Sequence, residues 1–389
     1  MHSTILQDYP LALSPEIAEQ LAVNAPVALG VSGGKDSSAM SLAVSTYLDE
    51  IGHRGPRLLI HSDLGRIEWK QSLPMCQRLA DRVGMELVVV RRLAGDLLDR
   101  WKVRWSNNCE RYASLSCVKM ILPWSTASML FCRSELKAAI ICRYLVERFP
   151  QQTIINASGI RRDESTTRAK APIWAPQSRL TSKTYETTGL DWHPLVEWTL
   201  EQVFAYHQVR DFPPHEAYTR FLMSRVSCAF CTLASLADLI ASTTCPDNHA
   251  IYRELVAIEI ISSFSFQETR WLGDIAPHLL SEDMRAGLEE AKQRSVRRSA
   301  VEARIPKHML YAKGWPTSRP TYDEARLLAE VRVEVAQILG LTIRYTDPDA
   351  ILDRYDELIE QKRLQDEAKA RKLARTPMLV ACGNGGNAA

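Results

Sequence analysis

The sequence has no long apolar segment. No stretch of about 18 consecutive apolar residues occurs in it, so no membrane-spanning helix is predicted. Residues 1–10 lack a basic segment followed by an apolar core, so they do not predict a secretion signal. From these two absences we expect a cytoplasmic protein.

A large excess of charge of one sign is also missing. The 389 residues include 48 Lys and Arg against 46 Asp and Glu, a formal net charge of +2. So small an excess predicts no overall attraction to nucleic acid, and any basic surface must be local. No internal repeat is evident. With 46% hydrophobic and 24% charged residues, the composition is that of a globular chain with one large domain and a smaller one.

Disulfide bonds are not expected in the cytoplasm, and this affects the interpretation of the nine cysteines. Cys228 and Cys231 form a C-x-x-C pair in a region of helical pattern. Such a pair can be a redox dithiol, half of a zinc site, two ligands of an iron–sulfur cluster, or simply buried. A thioredoxin-like role would need a surrounding β-α-β pattern, which is absent here. Cys76 and Cys142 have apolar neighbours in helical patterns, so we expect them in the core.

Strands and helices are predicted to alternate over residues 27–95. This alternation favours an α/β fold with a doubly wound, mostly parallel sheet flanked by helices, and with ligands at the carboxyl ends of the strands. Residues 100–131 are rich in Trp, Ser and Cys and are predicted to be irregular, whereas 199–260 are predicted to be mostly helical. The predicted strands are Pro26–Val31, Arg57–His61, Glu86–Arg91 and Thr153–Ser158, and the predicted helices are 36–50, 68–83 and Ser134–Phe149.

The most informative segment is Ser32–Ser37, with the sequence SGGKDS between an apolar strand and a helical pattern. Its glycines allow backbone N–H groups to approach an anion, the helix N-terminus adds partial positive charge, and Lys35 adds a full one. A Walker A loop would need Ser or Thr after the lysine and Gly at position 29, where this chain has Asp36 and Leu29. The segment therefore predicts a phosphate-binding loop of another kind.

This segment resembles the SGGKDS loop of the adenine-nucleotide alpha-hydrolase superfamily, which includes N-type ATP pyrophosphatases and phosphoadenosine-phosphosulfate reductases. Two further blocks share the resemblance, one at Asp63–Gly65 after the second strand and one at Gly159–Arg168 after the fourth. Their ordinary alternatives are a turn and a solvated charged loop. The resemblance implies that catalysis uses Lys35, Asp36, Arg161 and Arg168, and that the nucleotide contacts Ser32, Gly33, Gly34, Lys35, Asp36, Ser37, Asp63, Gly65, Gly159 and Glu164.

The resemblance also gives the cysteines a candidate role. Cys132 is similar to the family's Cys-x-x-x-Leu-Lys helix start, whose cysteine joins the later C-x-x-C pair to hold a 4Fe–4S cluster. Cluster-bearing reductases have two adjacent cysteines there, but this chain has Phe131 before Cys132. Either the cluster has three protein ligands and an open iron, as in some tRNA thiolases, or another cysteine is the fourth ligand. The implied ligands are Cys132, Cys228 and Cys231, and the candidates for a fourth are Cys245 or, less well supported, Cys109 or Cys117.

The resemblance indicates nucleotide binding more firmly than it indicates the reaction. Our first hypothesis is an ATP pyrophosphatase, using ATP and Mg²⁺, that adenylates an acceptor oxygen for replacement by sulfur. It is most similar in kind to the ATP pyrophosphatase component of DNA phosphorothioation systems, which implies a sulfur donor such as a cysteine desulfurase. The alternatives are a phosphoadenosine-phosphosulfate or adenosine phosphosulfate reductase of sulfate assimilation, a tRNA thiolase and a non-catalytic nucleotide-binding subunit. Cys382 supports a reductase only weakly, because the flanking Glu and His of the reductase tail are absent.

The C-terminal third contains a local basic segment. Residues 291–298 carry four positive charges and no acid, and such a stripe can contact DNA, although a solvated helix face is the commoner explanation. We divide the chain into a lead-in helix (1–25), a nucleotide-binding domain with the cysteine cluster (26–275), a helical and partly basic region (276–375) and a disordered tail (376–389).

Overall fold

The structure is a computed structural model, and it describes residues 5–374. The predicted tail at 376–389, with Cys382, lies outside the described residues. No helix in the described part of the chain has both the length and the apolar character needed to cross a membrane.

Six strands form one sheet. Every neighbouring pair is parallel except β5 with β6. The order across the sheet is β3-β2-β1-β4-β6-β5. Strands β2 and β3 therefore lie on one side of β1, and β4, β6 and β5 lie on the other. The carboxyl ends of β1 and β4 therefore adjoin a topological switch point, where α/β proteins bind ligands. This confirms the predicted α/β fold. The strands are β1 (Val27–Val31), β2 (Arg57–Asp63), β3 (Glu86–Arg91), β4 (Thr153–Ala157), β5 (Trp174–Pro176) and β6 (Thr188–Trp192).

Helices flank this sheet and make up most of the C-terminal region. A short π-helical segment, Ser134–Ala138, joins α6 to α7. The helices are α1 (Ile5–Asp8), α2 (Pro15–Ala22), α3 (Lys35–Glu50), α4 (Ser72–Val83), α5 (Leu97–Ala113), α6 (Phe131–Arg133), α7 (Ala139–Arg148), α8 (Leu200–Val209), α9 (Glu216–Thr219), α10 (Leu236–Thr243), α11 (His249–Ser262), α12 (Glu282–Glu302), α13 (Tyr322–Leu339) and α14 (Pro348–Ala374).

The centre of the sheet is buried on both faces. Val27, Ala28 and Leu29 of β1 have no exposed surface, as expected for a parallel strand covered by helices on both sides. Helix α3 packs directly on this strand and buries Met40 and Leu42 in the same core. A rigid β1–α3 unit therefore supports the glycine loop between them.

Two local predictions are wrong. Residues 100–113 are not irregular, because α5 passes through them and buries Trp101 against Trp124, with ring centroids 5.4 Å apart. Packing of one apolar face stabilises this helix although its Trp, Ser and Asn content gives it only a modest helix propensity. The C-x-x-C pair is not in a helix either. It lies in a loop, and α10 begins only at Leu236, where the Ser235 side chain accepts the Asp238 N–H as an N-cap.

The described residues divide into two compact units. The first comprises residues up to Val103 together with Trp124–Ile261 and Ser265–Leu288, and the second comprises Arg104–Pro123, Ser262–Phe264 and the residues from Glu289 onward. Inside the second unit the guanidinium of Arg332 is fully buried and donates to the carbonyl oxygens of Tyr112, at 2.8 Å, and Ala113, at 3.2 Å. It thus satisfies carbonyls at the end of α5 that have no partner within that helix.

Candidate nucleotide and thiol site

The glycine loop, Ser32–Gly34, connects β1 to the N-terminus of α3. Gly33 has φ of +74°, and a Cβ on it would lie 2.9 Å from the carbonyl oxygen of Ser72, so only glycine fits there. The Ser37 hydroxyl donates to the Gly34 carbonyl at 3.0 Å and accepts the Ser32 N–H at 3.3 Å, which fixes the loop on the first turn of α3. Because the N-cap residue of α3 is Gly34, no side chain caps this end of the helix, and a helix N-terminus of this kind can bind an anion.

Lys35, Asp36 and Arg161 form a row of charges at the start of α3, and both cations in it are buried. The Lys35 Nζ lies 3.1 Å from the Asp36 carboxylate, and only 4% of the lysine is exposed. The other Asp36 oxygen accepts a hydrogen bond of 2.6 Å from Nε of Arg161. Asp36 therefore lies between two cations, and the carboxylate orients both of them.

The loop after β4 packs against the same helix turn. A Cβ on Gly159 would lie 2.7 Å from the carbonyl oxygen of Asp36, so the two backbones are in direct contact. Arg161 is 2% exposed and donates to Asp163 as well, at 3.0 Å. Glu164 accepts the Arg161 backbone N–H at 3.2 Å and is ion-paired with Arg168. Both arginines thus pair with acids, and the buried Arg161 links this loop to Asp36 in the first turn of α3.

Asp63 and Gly65 follow β2, which neighbours β1 at the same edge of the sheet. One Asp63 oxygen accepts the Gly65 N–H at 2.7 Å and so forms a turn. Gly65 has φ of +74°, and a Cβ on it would lie 2.4 Å from Cβ of Asp96. In the structure, Asp63 and Gly65 therefore form a turn, which was the alternative to nucleotide binding. The turn lies at the edge of the sheet where α/β proteins bind ligands.

Tyr218 connects the glycine loop to the loop that carries the C-x-x-C pair, and sequence reasoning missed it. Its hydroxyl oxygen accepts the backbone N–H groups of Lys35, at 3.2 Å, and of Val226, at 2.9 Å. Val226 lies two residues before Cys228. His207 contacts the other side of the same residue, with Nε2 2.8 Å from the Lys35 carbonyl oxygen. A single residue in each of two helices, α8 and α9, gives no periodic signal that could have revealed these contacts.

The cysteine-bearing loop is anchored on the segment after β2. Glu68 and Cys228 form an isolated antiparallel bridge, and the Ala229 N–H donates to the Ile67 carbonyl at 2.7 Å. Burial of its sulfur raises the pKa of the Cys228 thiol, and the neighbouring Cys231 and Cys132 raise it further, whereas Lys137 lowers it. Three of the predicted ligands, Cys132, Cys228 and Cys231, therefore share one electrostatic environment.

Whether these thiols fit an iron–sulfur cluster can be tested on their arrangement. The three cysteines supply the soft thiolate donors that such a cluster requires. Within the described residues, however, no three His, Cys, Asp or Glu side chains are arranged as a ready metal-ion site. Cys245 is buried, and its carbonyl oxygen accepts the Asn248 N–H at 3.0 Å. The donor chemistry fits a cluster at Cys132, Cys228 and Cys231, but the ligand set is not preformed.

An apolar cleft of about 480 Å³ adjoins this region. Its lining includes Phe204, His207, Tyr218 and Met223, so two of its residues also contact the backbone of Lys35. The cleft is of a size that can hold a small-molecule group.

The basic stretch of α12 is not a uniformly exposed stripe. Arg298 is buried, lies 3.7 Å from the ring centroid of Phe264 and pairs with Glu302. Lys292 and Arg294 form intrahelical ion pairs with acids one turn earlier. Only part of the predicted basic stripe thus faces solvent.

Comparison with known proteins gives one family and several similar solved structures. The phosphoadenosine phosphosulfate reductase domain matches residues 26–234, which is more than half of the chain and includes the glycine loop and the C-x-x-C pair. The phosphoadenylyl-sulfate reductase of Candida auris, in a phosphate complex, is 14% identical over 56% of this chain and 96% of its own, with a TM-score of 0.34. The U34-tRNA thiolase NcsA of Methanococcus maripaludis, with its 4Fe–4S cluster, is 15% identical over 66% of this chain and 77% of its own, with a TM-score of 0.38. No curated protein matches.

Proposed function

The chain belongs to the phosphoadenosine phosphosulfate reductase domain family, and from this premise we propose that it is an ATP pyrophosphatase that adenylates an acceptor oxygen for replacement by sulfur. One observation carries the proposal. The Tyr218 hydroxyl holds Lys35, at the phosphate-binding turn, and Val226, beside Cys228, on the same oxygen atom. A nucleotide site and a thiol site joined in this way suit a reaction that couples nucleotide cleavage to sulfur transfer.

The reaction has two balanced steps. In the first, the acceptor oxygen attacks the α-phosphorus of ATP, the bond from that phosphorus to the oxygen bridging the α- and β-phosphates breaks, and pyrophosphate leaves. In the second, hydrosulfide attacks the adenylated acceptor, a bond to sulfur forms, and AMP leaves with the original oxygen. Lys35 and the N–H groups of the glycine loop stabilise the charge on the departing pyrophosphate. Asp36 holds Lys35 and Arg161 in position for this step.

Cys132, Cys228 and Cys231 would hold a 4Fe–4S cluster. When bound, the cluster supplies a place at which sulfur can be held for transfer. Because thiolates are the ligands, assembly of the cluster must release the protons of the thiols.

We propose a DNA backbone phosphate as the acceptor, with ATP and Mg²⁺ as reactants in the cytoplasm. The sulfur donor is a cysteine desulfurase, whose persulfide is reduced by a thiol to the hydrosulfide that the second step uses. The support is the resemblance of the loop and cysteine motifs to the ATP pyrophosphatases of DNA phosphorothioation. A tRNA thiolase would use the same first step on a different acceptor. A non-catalytic nucleotide-binding subunit would retain the loop without turnover.

A second candidate is a phosphoadenosine-phosphosulfate reductase. The observation in its favour is the matching domain itself, which bears that description. A reductase would cleave a phosphosulfate and would need a nucleophilic thiol, for which Cys382 is the candidate.

The decisive experiment tests ATP and a phosphosulfate as substrates of the full chain, in separate reactions under anaerobic conditions. With ATP, Mg²⁺, sulfide and duplex DNA we expect AMP, pyrophosphate and phosphorothioate in equal amounts. Lys35→Met, which keeps a long side chain without the charge, should lower the rate of AMP formation at least about 100-fold. Lys70→Met is the matched control, because Lys70 is 70% exposed and pairs only with Asp247 among the residues described here.

Phosphosulfate turnover without any AMP from ATP would contradict the pyrophosphatase and favour the reductase. In that case Cys382→Ser should abolish turnover, whereas full activity of this variant would exclude the reductase as well. A parallel reaction contains tRNA in place of DNA. Sulfur incorporation into tRNA but not into DNA would overturn the proposed acceptor and retain the first step.

A further inference from the structure

His215 lies against the glycine loop with an unused hydrogen-bond donor. Its ring is fully buried, and Cδ2, the atom bonded to Nε2, lies 3.4 Å from where a Cβ on Gly33 would be. The ring therefore touches the phosphate-binding turn at its most constrained residue.

The protonation of this ring follows from its other contact. Nδ1 accepts the backbone N–H of Ala217 at 3.0 Å and so caps the short helix α9. In the neutral ring the proton is then on Nε2, which is a donor. Burial, together with the charge of Arg78, lowers the pKa of His215 to about 4, so the ring stays neutral at neutral pH.

Nε2 of His215 has no hydrogen-bond partner among the described residues. In the first unit, as far as it is described, the same is true of two other buried polar atoms, Oγ of Ser38 and Nε1 of Trp69. Ser38 is in the first turn of α3, and the Trp69 ring lies edge-on to His215, with centroids 6.2 Å apart. Buried donors in native proteins are almost always satisfied, so their concentration around one loop indicates a ligand that accepts hydrogen bonds.

We propose that His215 donates a hydrogen bond from Nε2 to an oxygen of the phosphate chain bound at the glycine loop. His215 is then a neutral phosphate-binding residue contributed by a segment far from that loop in sequence. A phosphate chain fits because two of the three unpartnered groups, Trp69 Nε1 and His215 Nε2, can only donate, and the hydroxyl of Ser38 is able to do so. The inference rests on the part of the proposed function that assigns phosphate binding to Lys35 and its loop.

Two substitutions separate the donor from the helix cap. His215→Asn keeps an oxygen that can accept the Ala217 N–H but places no donor at the Nε2 position, because the side chain is too short. We expect the affinity of the full chain for inorganic pyrophosphate, measured by titration calorimetry, to fall about tenfold or more. His215→Gln restores an N–H near the Nε2 position and loses the cap, so it should retain more affinity than His215→Asn and melt at a lower temperature. His249→Asn is the control, because the His249 ring bonds to the Thr243 carbonyl oxygen and not to the glycine loop. This variant should bind pyrophosphate with the affinity of the parent.

A measurement on the unaltered chain does not depend on how a variant folds. The Nε2–H resonance of His215, followed by NMR in ¹⁵N-histidine-labelled protein, should shift when pyrophosphate is added. Equal affinity of His215→Asn and the parent, or an Nε2–H resonance that does not respond to bound pyrophosphate, would overturn the inference. Pyrophosphate binding that depends on His215 in a chain that does not cleave ATP would contradict the proposed reaction and leave this inference standing.

Discussion

At the residue scale, His61 is the second link between the glycine loop and the cysteine-bearing loop. Its Nδ1 lies 3.0 Å from the carbonyl oxygen of Val31, the residue before the glycine loop, and its Nε2 lies 3.1 Å from the Glu68 carboxylate. Glu68 in turn pairs with Cys228 through the backbone. Both oxygens only accept, so the doubly protonated ring satisfies both contacts.

The charge on His61 predicts a pH dependence of stability. Burial by itself lowers the pKa of His61, but hydrogen bonds with Cys76 and Glu68 outweigh it and raise this pKa to about 10. Because the folded pKa is above the unfolded value of about 6.5, the stabilisation is fully present below pH 6.5 and is lost as the pH rises through 10. His61→Gln should lower the free energy of unfolding by about 2 kcal/mol at pH 6, since it leaves Glu68 without its cation.

Urea unfolding at pH 6 and at pH 9.5 checks this expectation. The difference between parent and His61→Gln should shrink at the higher pH. His249→Gln is a suitable control, because the described hydrogen bond of the His249 ring is to a carbonyl oxygen and not to a carboxylate. A difference that is the same at both pH values would show that the ring is not charged in the folded protein.

At the scale of elements, the sequence pattern predicted the strands and turns whose structure depends on neighbouring residues. The apolar runs of β1 and β2 and the glycines between β1 and α3 are visible in sequence, because strand burial and turn geometry act on neighbouring residues. Helix α5 was missed, because it is stabilised by the packing of Trp101 on Trp124 rather than by propensity. The roles of Tyr218 and His215 depend on a loop folding back onto the glycine loop from more than 180 residues away, and no spacing in the sequence encodes that contact.

Gly159 tests how closely the loop after β4 must approach α3. A methyl group there would lie 2.7 Å from the Asp36 carbonyl oxygen and 3.0 Å from the Ser37 nitrogen, and both are backbone atoms that cannot swing away. We expect Gly159→Ala to displace the first turn of α3, with a loss of about 1–3 kcal/mol in stability and a clear loss of pyrophosphate affinity.

Gly287→Ala provides the comparison for that substitution. Gly287 is in α12, where the nearest contact of a Cβ would be the side chain of Ile260 at 3.2 Å, and alanine favours a helix. This variant should be as stable as the parent, or slightly more so, in the same thermal melts. Unchanged pyrophosphate affinity in Gly159→Ala would show that the close approach does not shape the phosphate turn.

At the scale of the whole molecule, the first unit combines two kinds of site from distant parts of the chain. Helix α6 contributes Cys132, and the loop before α10 contributes Cys228 and Cys231, while β1 and α3 flank the proposed phosphate-binding loop. With a net charge of only +2 and much of the α12 basic stretch paired or buried, long-range attraction to DNA is weak. The acceptor of the proposed reaction would therefore be recognised mainly by contacts near the site itself.

The thiol site predicts how metal loading affects the entire protein. Purified without oxygen, the full chain should be brown and contain iron and sulfide, and Cys132→Ser, Cys228→Ser or Cys231→Ser should each remove most of the iron. Cys142→Ser is the control, because that thiol is buried in the core with its pKa raised by burial to about 12. If the cluster has three protein ligands, Cys245→Ser should also retain iron, so its loss of iron would identify Cys245 as the fourth ligand.

Thermal melts give a second measurement of the same site. Because a cluster binds only the folded chain, removal of its iron by a chelator should lower the melting temperature of the parent and leave that of Cys228→Ser unchanged. Stoichiometric zinc without iron in the anaerobic protein would refute the cluster and leave a zinc site in its place.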